Sequence, residues 1–152
     1  VPVRDLTRIV DAVSVRAKET QSPEMLVAAA RVPVGSAIVA RLAPDRQLSI
    51  LTLGPELEAR LHESLRDVDG QIHVAADPTT LTNVSEQVQR AIATKAPSNG
   101  APALVCGQLL RGPLQRLLAS AGIDVTVLAY PELPPYLDIA PIGVIADAYA
   151  NA

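Results

Sequence analysis

The sequence predicts an α+β fold: a helical subdomain over residues 1–45, a small α/β subdomain over 46–147 with a mixed sheet of about four strands flanked by helices, and a tail at 148–152. Three observations carry this reading. The apolar period changes from that of helices to that of strands at the turn Pro44-Asp45-Arg46. Residues 103–129 then hold strand, helix and strand in close to the length of a parallel crossover unit. Finally, residues 1–75 carry 9 basic and 10 acidic side chains, whereas 76–152 carry 4 and 6. A half so poor in charge either buries most of itself or turns an apolar face to a partner.

The elements follow in order. Leu6, Ile9, Val10, Val13 and Ala17 form one stripe of a helix, with Asp5 in the first turn where the helix dipole favours an anion. Thr20 to Pro23 stops that helix and starts another, because Ser22 can cap free N–H groups and Pro23 at the first position loses no needed donor. Met25, Leu26 and Ala29 continue the second stripe, and Ala37, Ile38 and Leu42 resume it beyond Pro33 and Gly35. Proline there predicts a kink or two shorter helices. Gln47 to Leu53 is a strand, and Gly54-Pro55 launches a helix with Leu57, Leu61 and Leu65 on one face. Asp67 to Gly70 is a turn and Gln71 to Ala75 a short edge strand. Asp77-Pro78 opens a helix with Leu81, Val84, Val88, Ala91 and Ile92 inward, ending near Lys95, and Pro97-Ser98-Asn99-Gly100 is a loop. Ala103 to Cys106 is a buried strand; Leu110, Leu114, Leu117, Leu118 and Ala121 line a helix that stops at Gly122; Val125 to Ala129 is the next strand. Pro131 to Pro135 is an extended connector, and Ile139 to Ile145 a last strand whose Pro141 suits a sheet edge.

Composition excludes several functions. The richest apolar stretch, Leu26 to Leu42, is interrupted by Arg31 and Arg41, short of the roughly 20 uninterrupted residues a membrane helix needs. No basic and apolar signal sequence opens the chain. A net charge of −3 with no Trp or Phe leaves little to neutralise phosphates or stack on bases, which argues against nucleic acid. One cysteine, Cys106, excludes an internal disulfide and fits a reducing compartment.

The search for chemistry is mostly negative. His62 and His73 have no third ligand at useful spacing, so no metal is expected; His62 reads as part of a solvated helix face and His73 as the outward residue of an alternating strand. Cys106 ends the apolar run Ala103-Leu104-Val105, the usual place of a buried, inert cysteine. Its position at a strand end before Gly107 is nevertheless where α/β sheets bind ligands, which leaves a small ligand-binding domain or enzyme as the alternative reading. Neither the dinucleotide nor the P-loop glycine pattern occurs, and no cofactor is expected. The segment Tyr130 to Leu137 is open to two readings, a rigid loop over the sheet or an exposed recognition edge anchored by Tyr and Leu.

Four stretches in order carry a resemblance: Arg4-Asp5-Leu6 with Ile9-Val10; Ile50 to Glu58; Ala103 to Cys106 with Leu110-Arg111; and Val127 to Glu132 with Ile142 to Ile145. Together they make the chain resemble the C-terminal cytosolic region of the export gate proteins of flagellar and virulence type III secretion systems, the FHIPEP family. The resemblance implies the last two of four cytosolic subdomains of an integral membrane protein, on the cytoplasmic side of the bacterial inner membrane. It also implies a homo-oligomeric ring in the full-length protein that meets other export-apparatus proteins and chaperone–substrate complexes. No membrane contact by this fragment itself and no catalytic residue are implied. Arg4, Asp5 and Arg8 at the start of the helical subdomain and Tyr130, Glu132 and Leu133 on the connector are the expected partner or ring contacts. Pro33 and Gly35 depart from the unbroken helix usual in that family, and Ala129 stands where serine is common there.

Overall fold

The computed structural model describes residues 3–95 and 100–147. The loop expected at Pro97-Ser98-Asn99 and the tail at 148–152 lie outside the described residues, as do the side chains of Val3, Arg4 and Lys95.

The chain opens with α1 (Val3–Arg16), α2 (Pro23–Arg31), a 3-10 turn (Val32–Val34) and α3 (Gly35–Leu42). Pro33 ends α2 as expected, and the two shorter helices result. Ser22 does not cap α2. Its hydroxyl is buried without a hydrogen-bond partner, and its N–H donates to Thr20 Oγ1 at 3.1 Å. The α1 stripe is only half used. The helix lies on α2 and the 3-10 turn, which cover part of Ile9 and Val13 but leave Leu6, Val10 and Ala17 exposed. Val15, off the expected stripe, is exposed as well.

By length and composition alone, Pro23–Leu42 is a 20-residue helical run apolar enough to cross a membrane, with a mean hydropathy of 1.6, so Arg31 and Arg41 do not exclude it on that test. Its Arg31 is bonded to the rest of the chain, and Val39 near its far end and Ala43 just beyond it enter the core.

Beyond Arg46 come β1 (Gln47–Leu53), α4 (Pro55–Glu63), β2 (Leu65–Val68), β3 (Gln71–Val74), α5 (Pro78–Lys95), β4 (Ala103–Cys106), α6 (Gln108–Ser120), β5 (Thr126–Ala129), a second 3-10 turn (Tyr130–Glu132) and β6 (Asp138–Ile145). The four strands β5-β4-β1-β6 pair in that order, all parallel. The antiparallel pairing belongs to a separate ribbon of β2 and β3. Leu65, expected on the α4 face, instead starts β2, because the helix ends at Glu63. Asp69 and Gly70 both take positive φ, as a two-residue hairpin turn requires, and Gly70 N–H bonds Asp67 Oδ1 at 2.8 Å. Asp77 opens α5 as expected, accepting from Thr80 N–H at 2.9 Å and Thr80 Oγ1 at 2.6 Å. Leu81, expected inward on α5, is only half-buried.

Strand alternation splits the core in two. Leu51, Leu53, Leu104, Cys106, Val127 and Ile145 point to the side covered by α4, α5 and α6, where Leu57, Leu61, Val84, Val88, Leu110, Leu114 and Leu118 are buried. Leu48, Ile50, Ala103, Val105 and Leu128 point to the other side, under Val39 and Ala43. β4 is buried on both faces, as a central parallel strand is. β6 is an edge, and its Pro141 sits beside a register shift against Ile50 and Leu51. Along the helical segment the buried apolar side chains are few: Ala28, Val39 and Ala43 among the described residues. Fully burying one large aliphatic side chain contributes about 2 kcal/mol. With these three and the partly buried Ile38 and Leu42 as its apolar attachment, the segment draws the more on specific polar contacts with the rest of the chain.

Candidate functional site

Those contacts lie where α2 and α3 meet the C-terminal side of the sheet. Arg31, in the last turn of α2, forks onto Glu132 in the second 3-10 turn. Nε donates to Oε1 and Nη2 to Oε2, both at 2.9 Å, across 101 positions of sequence. The Glu132 side chain is 1% exposed and that of Arg31 25%. Gly35 makes the approach possible: a Cβ on it would lie 2.2 Å from the Glu132 carbonyl oxygen. The connector, expected extended, turns at Tyr130–Glu132 so that the carboxylate can face α2.

A second clasp ties α2 to β3 and α6. Glu24 Oε1 pairs with Arg116 Nη2 at 2.6 Å, and Oε2 accepts Ile72 N–H at 3.1 Å. Arg116 also donates to the Ile72 carbonyl. Beside this clasp a cleft of about 260 Å³ opens between α2, the β2–β3 turn and the start of α6, lined in part by Met25, Val27, Ala28, Leu109, Arg111 and Pro113. Arg111 Nε is buried with no hydrogen-bond partner. Burial, and next the charge of Arg31, push the Arg111 guanidinium below its ordinary pKa, while Glu132 opposes the shift.

At the C-terminal edge of the sheet, Glu58 Oε1 accepts Gly107 N–H at 2.6 Å, and Tyr130 O–H reaches Glu58 Oε2 at 3.4 Å. Burial, followed by the Glu58 charge, raises the Tyr130 phenol. Cys106 beside them has no exposed surface, and burial, followed by Glu58, pushes its thiol up to about 12. A thiol so placed is held protonated at neutral pH, the form that reacts least. Iodoacetamide should therefore label folded Cys106 at least about 100-fold more slowly than the urea-unfolded chain; comparable rates would show that the thiol is reactive. The raised thiol favours folding below the ordinary thiol range. That contribution is lost as pH rises toward 12.

The strand order reverses between β1 and β6, the place where open α/β sheets take ligands. Here the chain fills it. Gly54 N–H bonds the Ile145 carbonyl at 2.8 Å, Gln87 bonds both the N–H and the carbonyl of Ala146, and Arg60 pairs with Asp147 at 2.6 Å. His62 and His73 are exposed, and among the described residues no three His, Cys, Asp or Glu side chains come together as a metal site would require.

The residues singled out from the sequence fall on two elements. Arg4, Asp5 and Arg8 lie in the first turns of α1, with Asp5 half-buried and Arg8 exposed. Tyr130 is 47% exposed, Leu133 is half-buried against the core under α3, and Glu132 is held inside the chain by Arg31. Glu24, Arg31, Gly35, Arg111 and Arg116 were not singled out as site residues. The available signal was Arg31 itself, a charge inside an apolar helical run, which requires a buried partner elsewhere.

The sequence profile of the FHIPEP family matches residues 1–138. The flagellar biosynthesis protein FlhA of Proteus mirabilis is 28% identical over 134 residues, 88% of this chain and 18% of that protein. The cryo-EM structure of nonameric EPEC SctV-C matches the fold with a TM-score of 0.78 at 16% identity, over 95% of this chain and 44% of that one. The Chlamydia pneumoniae CdsV and CdsO complex gives 0.79 at 20% identity, over 95% and 43%. The chain thus spans less than a fifth of the FlhA relative and less than half of each solved chain.

Proposed function

Because the chain belongs to the FHIPEP family, we propose that it is part of the cytosolic region of a flagellar or type III protein export gate. There it acts, without catalysis, as ring scaffold and as part of the docking platform for chaperone–substrate complexes. Its place is the cytoplasmic side of the bacterial inner membrane, in a longer protein anchored in that membrane. The carrying observation is the match over residues 1–138, together with 95% of this chain following part of the chain of nonameric EPEC SctV-C in fold.

Exposed Leu6, Val10 and Val15 support the scaffold role, since α1 leaves apolar surface that neighbouring copies would cover. Asp5 and Arg8, together with Arg4 at the same helix start, are the proposed ring contacts. Tyr130 and Leu133 are the docking anchors, and Glu132 contributes by fixing the turn that presents them. Other export-apparatus proteins are the further partners, for which the complex of CdsV with CdsO is the precedent.

In the full-length protein, Leu6→Asp combined with Val10→Asp should abolish the ring in sedimentation velocity while leaving the helical circular dichroism unchanged. An intact ring would count against the scaffold role. Tyr130→Ala should keep the ring and weaken chaperone–substrate capture roughly tenfold or more. Unchanged capture would remove the docking role.

A further inference from the structure

We infer that the cleft between α2, the β2–β3 turn and the start of α6 binds a carboxylate that a partner polypeptide presents beside an aliphatic side chain, with Arg111 as the counter-ion. The argument begins with charge. Arg31 is taken by Glu132, and Arg116 by Glu24 and the Ile72 carbonyl. Arg111 lines the cleft and makes no such pair, and its Nε is buried without an acceptor. A guanidinium left without a counter-ion on the wall of a partly apolar cleft is costly, and a carboxylate docked against it would supply a strong, charge-assisted partner. Counting Glu24, Arg111 and Arg116, the ionised side chains lining the cleft leave one net positive charge. That balance matches a single carboxylate better than a phosphate dianion, whose second negative charge would be left unmatched beside Glu24.

Size and lining choose between a small molecule and a side chain. At about 260 Å³ the cleft is below the range of roughly 300–1,000 Å³ typical of cofactor and drug-sized ligands. It has room for an acidic side chain and one aliphatic neighbour. Met25, Ala28, Leu109 and Pro113 supply apolar wall for that neighbour, and Val27 at the rim is 50% exposed. The inference rests on the charge and shape of this cleft and is independent of ring formation and of docking at Tyr130.

The probe is the blocked tripeptide acetyl-Leu-Asp-Leu-amide, titrated into the whole 152-residue chain while amide shifts are followed by NMR. Saturable shifts are expected at Leu109, Gly112 and Gly70, with the twin carrying Asn in place of Asp binding at least about tenfold more weakly. Inorganic phosphate should bind those residues more weakly than the acidic peptide. Arg111→Gln should erase the preference for the acidic peptide. Val27→Asp, which adds a like charge on the exposed rim and leaves Arg111 in place, should weaken the acidic peptide about tenfold with little change in Tm. It also serves as the test if Arg111→Gln fails to fold. The proposal is overturned by shifts that do not saturate at millimolar peptide, by equal binding of the Asn twin, by tighter binding of phosphate, or by a Val27→Asp chain that binds as before.

Discussion

Arg31→Ala should destabilise the folded chain by about 3–5 kcal/mol, the range for removing one partner of a buried ion pair. The cost arises mainly on the other side of the pair. Glu132, with its side chain 1% exposed, keeps a carboxylate that has lost both guanidinium hydrogen bonds and has no access to water in exchange. An exposed pair would lose at most about 1 kcal/mol on the same substitution. The two magnitudes are far enough apart for urea denaturation to decide between them, read as a lower midpoint at unchanged slope. A loss under about 1 kcal/mol would mean that water reaches Glu132. Arg31→Met combined with Glu132→Leu should recover most of the loss, because an apolar pair of similar volume carries no desolvation penalty.

Gly35→Ala should lower Tm by roughly 10 °C, corresponding to about 3 kcal/mol for a chain of this size. Helix propensity predicts the opposite sign. Gly35 has helical dihedrals, φ −52° and ψ −42°, and alanine in a helix is favoured over glycine by about 1 kcal/mol. The contact outweighs the propensity. The added Cβ would sit 2.2 Å from the Glu132 carbonyl oxygen and 2.8 Å from its carbonyl carbon, and backbone atoms cannot rotate aside as a side chain end can. Either α3 or the second 3-10 turn has to move, and both Val39 and Leu128 lie in the core that such a movement opens. A rise in Tm would show that the junction is looser than the contact implies. Because Gly35 and Arg31 hold the same turn, combining Gly35→Ala with Arg31→Ala should cost less than the sum of the two.

Most of the architecture was legible in the residues. The strand–helix–strand unit, the edge position of the Pro141 strand, the break at Pro33 and the Asp77 cap each rest on local chemistry that acts within a few positions. Of the β2–β3 hairpin the turn and the second strand were legible, but β2 was not: its four residues are mostly exposed and show no alternation, so the period gave no support. The α1 stripe was legible as a pattern, but its exposure was not, because periodicity reports that a helix has an apolar face and is silent on whether this chain covers it. The ordered aliphatic stretches point to the family, and residues 1–138 match it.

From its residues alone this protein was determined to be helices followed by a small sheet, with a single thiol in an apolar strand. Those are properties of neighbours in sequence. The partners of Arg31, Glu24 and Arg116 were decided only by tertiary structure, as was the reason Gly35 has no side chain. The physical cause is separation along the chain: Arg31 finds Glu132 across 101 positions and Arg116 finds the Ile72 carbonyl across 44. Charge pairing at such distances leaves no period, cap or turn to read, and whether a cation is bonded or waiting for a ligand is settled by which carboxylate the fold brings within reach.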